Sequence, residues 1–230
     1  LVDAVGSWGT PLVLCRPLLR AGGRVARFNP ALPLQGKGSA NWRNHRKLAV
    51  FDGRVAIIGG QNLGLGYMGR RPSNRRFRDC SFRLEGPVAG ALERIFIADW
   101  CQATDEPPRR YADQLRERQV AAGEASVEVI ATGPDAEGDP LWEAYARLFE
   151  TAATSITIVT PYFVPDRRLF ALLGAAARRG RRVRLVIPRR SDHRLLDFAR
   201  RWYLRTLHEA GAEILFFKPD VLHAKLVVVD

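Results

Sequence analysis

Two copies of one eight-residue pattern constrain this chain more than any other feature. His45-Arg46-Lys47-Leu48-Ala49-Val50-Phe51-Asp52 and His223-Ala224-Lys225-Leu226-Val227-Val228-Val229-Asp230 both read H-x-K-x-x-x-x-D. With four His, four Lys and 13 Asp in 230 residues, chance would place about 0.004 such copies. Each copy leads into a short apolar run, Leu48 to Phe51 and Leu226 to Val229, as expected of a strand buried on both faces. Residues two apart on a strand face the same way. His45 and Lys47 therefore project together, as do His223 and Lys225, while each Asp falls at the strand's far end. An imidazole can attack phosphorus or carry a proton, and an ammonium can neutralise non-bridging oxygens, so the pair suits a phosphodiester. His193 and His208 have no such partners and read as helix-surface residues.

The motif belongs to a longer internal repeat. Leu18 to Val25 can be laid on Leu207 to Ile214, so that Ala21-Gly22 falls on Ala210-Gly211, Phe28 on Phe217 and Pro30 on Pro219. Each half then reads helix end, Ala-Gly turn, strand, Pro, motif. The second half also has a strand at Ser155 to Thr160, a helix from about Arg167 to Arg179 and a strand at Val183 to Pro188. Leu1-Val2-Asp3 matches only that second strand. The first lobe is expected to lack a leading strand and helix, roughly 30 residues by the repeat's own length, and the second to lack counterparts of Gly53 to Trp100. The domains are accordingly drawn as 1–115, truncated at its N-terminus, and 116–230, truncated at its C-terminus. Ala103 to Ser126 reads as a polar linker with some helix, and Leu141 to Ala153 as a helix that packs one face. The segment from Ala31 to Asn44, with Gly36, Gly38 and Ser39, reads as a loop beside the first motif histidine.

At 47% apolar content the chain can build proper cores. Its net charge of +12 calls for an anionic partner, either nucleic acid or an acidic phospholipid surface. Arg70, Arg71, Arg75, Arg76 and Arg78 read equally as a loop that holds phosphate head groups and as a solvated basic loop. Tyr162 and Phe163 follow a strand end, where core packing and substrate contact are both open. Cys15, Cys80 and Cys101 show neither disulfide nor zinc spacing and read as buried thiols. No apolar run reaches the 18 or so residues that span a bilayer.

The residues resemble the phospholipase D superfamily, whose motif H-x-K-x4-D is followed after six residues by G-[GS]-x-N, here Gly59-Gly60-Gln61-Asn62. The strings NHRKLAVFDGRVAIIGGQNLG, FRDCSFRLEGPV, TPYFVPD and FKPDVLHAKLVVVD resemble its bacterial cardiolipin synthase branch. The resemblance implies an α/β fold of two similar lobes, mixed sheets flanked by helices, with the active site at the lobe interface, a phosphohistidine intermediate, no metal and no cofactor. It implies His45 as nucleophile and His223 as general acid, although from the residues alone either can serve either role. Lys47, Lys225 and Asn62, with Gly60, would bind the phosphate. Asp52 and Asp230 are candidates to orient or charge-balance the catalytic groups. The implied reaction joins two phosphatidylglycerols into cardiolipin and glycerol at a bacterial membrane, with an anchor N-terminal to this chain. A nuclease sharing the same catalytic set, and a degenerate lobe pair that only binds anionic lipid, are the alternatives.

Overall fold

The computed structural model describes residues 1–29, 43–71, 73, 76–116, 120–133, 136–218 and 222–230. These make two compact units, each discontinuous in sequence: Leu1–Ile58 with Phe82–Ala136, and Gly59–Ser81 with Glu137–Asp230. The class is mixed α/β, as expected, with sheets flanked by helices.

In the first unit, β1 (Val2–Asp3) pairs in parallel with β2 (Arg27–Phe28), and the short helix α1 (Arg16–Arg20) lies between them in sequence. A three-stranded sheet follows in the order β3 (Lys47–Phe51), β4 (Val55–Gly59), β5 (Ser81–Glu85). The helix α2 (Pro87–Thr104) covers it, burying Ala89 and Leu92 against Ala56. Phe51 and Arg54 close the β3–β4 hairpin, the Arg54 amide donating to the Phe51 carbonyl at 3.0 Å. Its two central residues, Asp52 (φ 51°) and Gly53 (φ 62°), are both left-handed. That is the Asp-Gly turn whose twist matches a hairpin, so the Asp of the first motif is the residue that turns the chain.

The segment read as a linker is instead fastened to this unit. After α2, the short helix α3 (Ala112–Arg116) follows a 3-10 turn, and Glu106 between them anchors the chain. Its carboxylate pairs with the Arg24 guanidinium and accepts from the Tyr111 hydroxyl at 2.5 Å and the Trp100 indole at 3.4 Å. Arg24 also lies 5.0 Å over the Trp100 ring.

Among the described residues the second unit has a four-stranded sheet and three helices. α4 (Pro140–Thr151) and α5 (Arg167–Arg178) start at Asp139 and Asp166, whose carboxylates accept the amides of Trp142 and Leu169, each satisfying a donor that the helix start leaves over. The strands are β6 (Ser155–Val159), β7 (Arg182–Pro188), β8 (Glu213–Phe217) and β9 (Leu226–Val229), with α6 (Arg194–Glu209) between β7 and β8. Sheet order is β8-β7-β6-β9; β6, β7 and β8 run parallel, and β9 is antiparallel to β6. Ile156, Leu173, Val183, Leu185, Ile187 and Leu207 fill the core. Burying each such side chain contributes about 1.5–3 kcal/mol.

The internal repeat is visible in local geometry. At the end of α1 the amides of Gly22 and Gly23 donate to the carbonyls of Leu19 and Leu18. At the end of α6 those of Gly211 and Ala212 donate to His208 and Leu207. These are the paired bonds of one Schellman cap, closed by a left-handed glycine in both copies, Gly22 at φ 83° and Gly211 at φ 100°. The sequence alignment thus superposes equivalent helix ends.

Two further expectations are corrected. The motif strands are not buried on both faces: Phe51 is 52% exposed and Val228 58%. β3 and β9 each stand at the edge of their sheet among the described residues, with a neighbour on one side only. Of the cysteines only Cys101 is buried; Cys15 and Cys80 are partly exposed.

Asp230, at φ 58°, ties β9 to the start of β6. Its carboxylate accepts the amides of Ala153, Thr154 and Ser155 at 2.6–2.8 Å, and the Thr154 hydroxyl at 3.0 Å. Those backbone donors hold it well below the usual carboxylate range. Glu106 is lowered to about 2, first by Arg24 and then by Tyr111. For both, the folded-state value lies below the unfolded value of about 4. Each therefore stabilises the fold fully above that pH and progressively less as pH falls through the folded value. Asp230→Asn and Glu106→Gln should each lower the thermal midpoint at pH 7, and the gap from wild type should close between about pH 5 and pH 2. A gap that stays constant down to pH 2 in thermal scans would show that neither ionised carboxylate is the stabilising species.

Candidate active site

Both motifs build the same local object. On extended backbone a lysine two residues after a histidine can reach back along the strand. Lys47 donates its ammonium to the His45 carbonyl at 2.6 Å, and Lys225 donates to the His223 carbonyl at 2.5 Å. In the second copy the ammonium also lies 2.9 Å from His223 Nδ1 and 3.1 Å from Nε2. A cation and an imidazole thus converge on one point, which is where a phosphate oxygen would gain from both.

The surroundings of His223 specify which nitrogen does what. Nδ1 lies 2.7 Å from Oδ2 of Asp79, a carboxyl whose side chain has no exposed surface. The other oxygen, Oδ1, accepts the Cys80 amide at 2.7 Å. An accepting carboxylate places the imidazole proton on Nδ1 and leaves Nε2 as the nitrogen that can take or give a proton. The main chain adds register: the amides of His223 and Ala224 both donate to the Arg78 carbonyl, at 2.7 and 3.1 Å. Tyr67 and Phe77 stack on each other, ring centroids 5.0 Å apart, and pack against the imidazole at 5.5 and 5.4 Å. The Tyr67 hydroxyl is 3.3 Å from Nδ1. Burial raises its phenol, against a hydrogen bond with Asn62 that lowers it.

The glycines of Gly59-Gly60-Gln61-Asn62 make room for Asp79. A Cβ on Gly60 would stand 2.4 Å from Asp79 Oδ1, and one on Gly59 2.4 Å from the Cys80 carbonyl. Both are impossible contacts, and the second is with backbone. The Gly60 amide donates to the Cys80 carbonyl at 3.2 Å, so the chain that leaves β4 lies against the segment carrying the acid.

His45 is exposed two residues before β3, and its neighbours are clamped. Arg46 donates to both oxygens of Asp99 on α2, at 2.6 and 2.8 Å, and to the Thr132 carbonyl at 2.9 Å. Asn44 donates its side-chain amide to Asp99 at 2.7 Å and its backbone amide to Asp3 at 3.1 Å. Beside His45 a cavity of about 340 Å³ is walled by Leu48, Ile58, Leu92, Ile95 and Val129. Asn44, Arg46, Asp99 and Gln102 line it too, so it offers mixed polar and apolar room next to an exposed imidazole.

The other expected residues fall as follows. Asp52 forms the hairpin turn and Asp230 the strand tie, while Asn62 is exposed beside Tyr67. Arg70, Arg71 and Arg78 are exposed and Arg76 partly so; Arg75 and most of the loop before the first motif, 30–42, lie outside the described residues. Phe163 is core, 4% exposed, whereas the Tyr162 hydroxyl donates to Asp192 at 2.6 Å, and burial, with this bond second, pushes the phenol up. His193 sits against Tyr162, and His208 on α6 contacts the Ala212 carbonyl. Sequence reasoning passed over Asp79, Tyr67, Phe77 and Asp99. Asp79 stood in the string FRDCSFRLEGPV, but 144 residues from its histidine nothing in the spacing connects them.

The duplicated imidazole-ammonium pair, each leading into a strand of a mixed α/β unit, is a phospholipase D-like feature. A family model described as cardiolipin synthase, PLD-like domain, matches residues 145–230. The chain is 36% identical over its whole length to a cardiolipin synthase of Geobacillus thermodenitrificans, of which it covers 46%. It is 34% identical to the major cardiolipin synthase ClsA of Bacillus subtilis, of which it covers 48%. Residues 145–230 thus match a cardiolipin synthase PLD-like family, and the whole chain is similar to cardiolipin synthases. It spans about half the length of these curated relatives. A solved phosphatidylserine synthase of Haemophilus influenzae shares the fold, with a TM-score of 0.53 over 81% of this chain and 51% of that chain, at 17% identity.

Proposed function

We propose that this chain carries the catalytic motifs of a phosphatidyltransferase of the phospholipase D type, a cardiolipin synthase that converts two phosphatidylglycerols into cardiolipin and glycerol. The carrying observation is the His223 site, where a buried carboxylate orients the imidazole and an ammonium lies within 3 Å of it. The lobes are drawn at 1–115 and 116–230 as copies of one unit, a reading supported by the matched helix caps and the matched lysine-to-histidine bonds.

In the first step an imidazole nitrogen of His45 attacks phosphorus, the bond from phosphorus to the departing glycerol oxygen breaks, and protonated His223 delivers its proton to that oxygen. In the second, the hydroxyl of another phosphatidylglycerol attacks the phosphohistidine and loses its proton to His223, which regenerates both groups. Lys47 and Lys225, with Asn62, neutralise and hold the phosphate oxygens. Gly60 serves the site by leaving space for Asp79, and Asp52 and Asp230 serve it by closing the motif strands. No helix among the described residues is long and apolar enough to cross a membrane. The protein is proposed to work at a bacterial membrane surface, with the chain's net charge of +12 adding an attraction that salt weakens and with an anchor outside this chain.

Given phosphatidylglycerol vesicles, the protein that carries this chain should release glycerol and form cardiolipin, and it should keep that activity in EDTA, because histidines and lysines perform the charge work. Cleavage of oligonucleotides with no turnover of phosphatidylglycerol would establish the nuclease reading instead. Loss of activity in EDTA, restored by a divalent ion, would overturn the mechanism.

A further inference from the structure

On α6 the inward face is settled by burial: Arg200, Leu204 and Leu207 are buried, and Arg200 donates to the Pro188 and Arg189 carbonyls and pairs with Asp197. The outward face does not have the composition of a solvated helix. Leu195, Phe198 and Trp202, spaced i, i+3 and i+7, form one stripe, and they are 78%, 67% and 61% exposed. At 100° per residue, Arg194, Arg201 and Arg205 form a row along one flank of that stripe. Arg201 lies 5.3 Å over the Phe198 ring, while Trp202 is steadied from beneath by Phe170 and Tyr203, at 5.3 and 5.0 Å. Between residues 189 and 209 stand six arginines and three carboxylates, and two of those carboxylates, Asp197 and Glu209, are already paired with Arg200 and Arg205.

We infer that this face of α6 docks the protein on an anionic phospholipid surface, with Leu195, Phe198 and Trp202 entering the boundary between head groups and acyl chains and with Arg194 and Arg201 meeting the phosphates. An apolar stripe of Leu, Phe and Trp edged by arginines is the composition of a helix that lies in a membrane interface, and arginine stems extend along apolar surface while their heads reach polar groups. Charge decides between occupants. A second copy of a chain carrying +12 would bring like charge to the arginine row, whereas an anionic bilayer supplies the opposite sign. This inference rests on the phospholipid reading above and names the surface by which the protein reaches its substrate.

The test uses the protein that carries this chain and sedimented vesicles of phosphatidylglycerol or of phosphatidylcholine. Leu195→Ser/Phe198→Ser/Trp202→Ser should weaken partitioning onto phosphatidylglycerol vesicles by about tenfold or more. Arg194→Gln/Arg201→Gln should weaken it by about tenfold at low salt and flatten its salt dependence. Both variants should turn over a short-chain, monomerically dissolved phosphatidylglycerol as wild type does, which also shows that they fold. The blue shift of tryptophan emission on vesicles should shrink in Trp202→Phe. Unchanged partitioning of both variants, with phosphatidylglycerol still turned over, overturns the inference and leaves the proposed function standing. Wild-type binding to phosphatidylcholine as tight as to phosphatidylglycerol overturns the anionic partner. Self-association of wild type that the serine variant abolishes, with vesicle binding intact, assigns the face to a second copy. If wild type turns over no phosphatidylglycerol in either form, it is the proposed function that fails.

Discussion

Alanine in place of His45 should abolish phosphatidyl transfer, with a loss of about 10⁴-fold or more, since removing the nucleophile of a two-step displacement removes the covalent route itself. The same variant should form no phosphoenzyme. His223→Ala should also lose turnover of phosphatidylglycerol, by about 10²–10⁴-fold, the usual size of a general-acid contribution. It should still become labelled on His45 when the substrate carries a leaving group, such as a nitrophenolate, that needs no proton. Labelled substrate and a quench at neutral or alkaline pH would report this, because a phosphohistidine is acid-labile by its chemistry. Label on His45→Ala with none on His223→Ala would exchange the two roles.

Asp79→Asn should cost nearly as much as losing His223. An asparagine fits the same volume, but its amide can present a donor where the carboxylate accepted, so the imidazole is held in the wrong tautomer with its proton on the working nitrogen. In a Ser-His-Asp triad that change costs about 10⁴-fold in kcat, and about 10²–10⁴-fold is expected here. The loss should fall on kcat with KM little changed, because Asp79 is buried behind the imidazole and does not face solvent. With the nitrophenolate leaving group the defect should largely vanish for the first step. Should the defect be the same size for both leaving groups, Asp79 would be acting on folding or binding and not through His223.

Some of this was legible in the residues. The H-x-K spacing forces histidine and lysine to one side of an extended strand whatever surrounds them, because side chains alternate along it, and both copies show the same lysine-to-carbonyl bond. The Ala-Gly pairs predicted helix ends for an equally local reason: closing a helix with a Schellman cap calls for a left-handed residue, which glycine adopts without strain. The motif Asp residues were legible in position and not in role. Asp52 and Asp230 both terminate strands in left-handed backbone, and the carboxylate that meets His223 is another one.

Asp79 marks the limit. Its pairing with His223 joins positions 144 residues apart and depends on the Arg78 carbonyl accepting two amides from the second motif, and on two glycines leaving no side chain in the way. The exposure of Leu195, Phe198 and Trp202 is of the same kind. A helical period shows that the three share a stripe, but not whether that stripe faces inward or outward. What the sequence alone determined was everything carried by chain-local periodicity: the motif strands, the paired cation and imidazole, and the matched helix ends. Which carboxylate orients the histidine and which helix face stays uncovered were decided only by tertiary packing, since both depend on which distant surfaces are buried against one another.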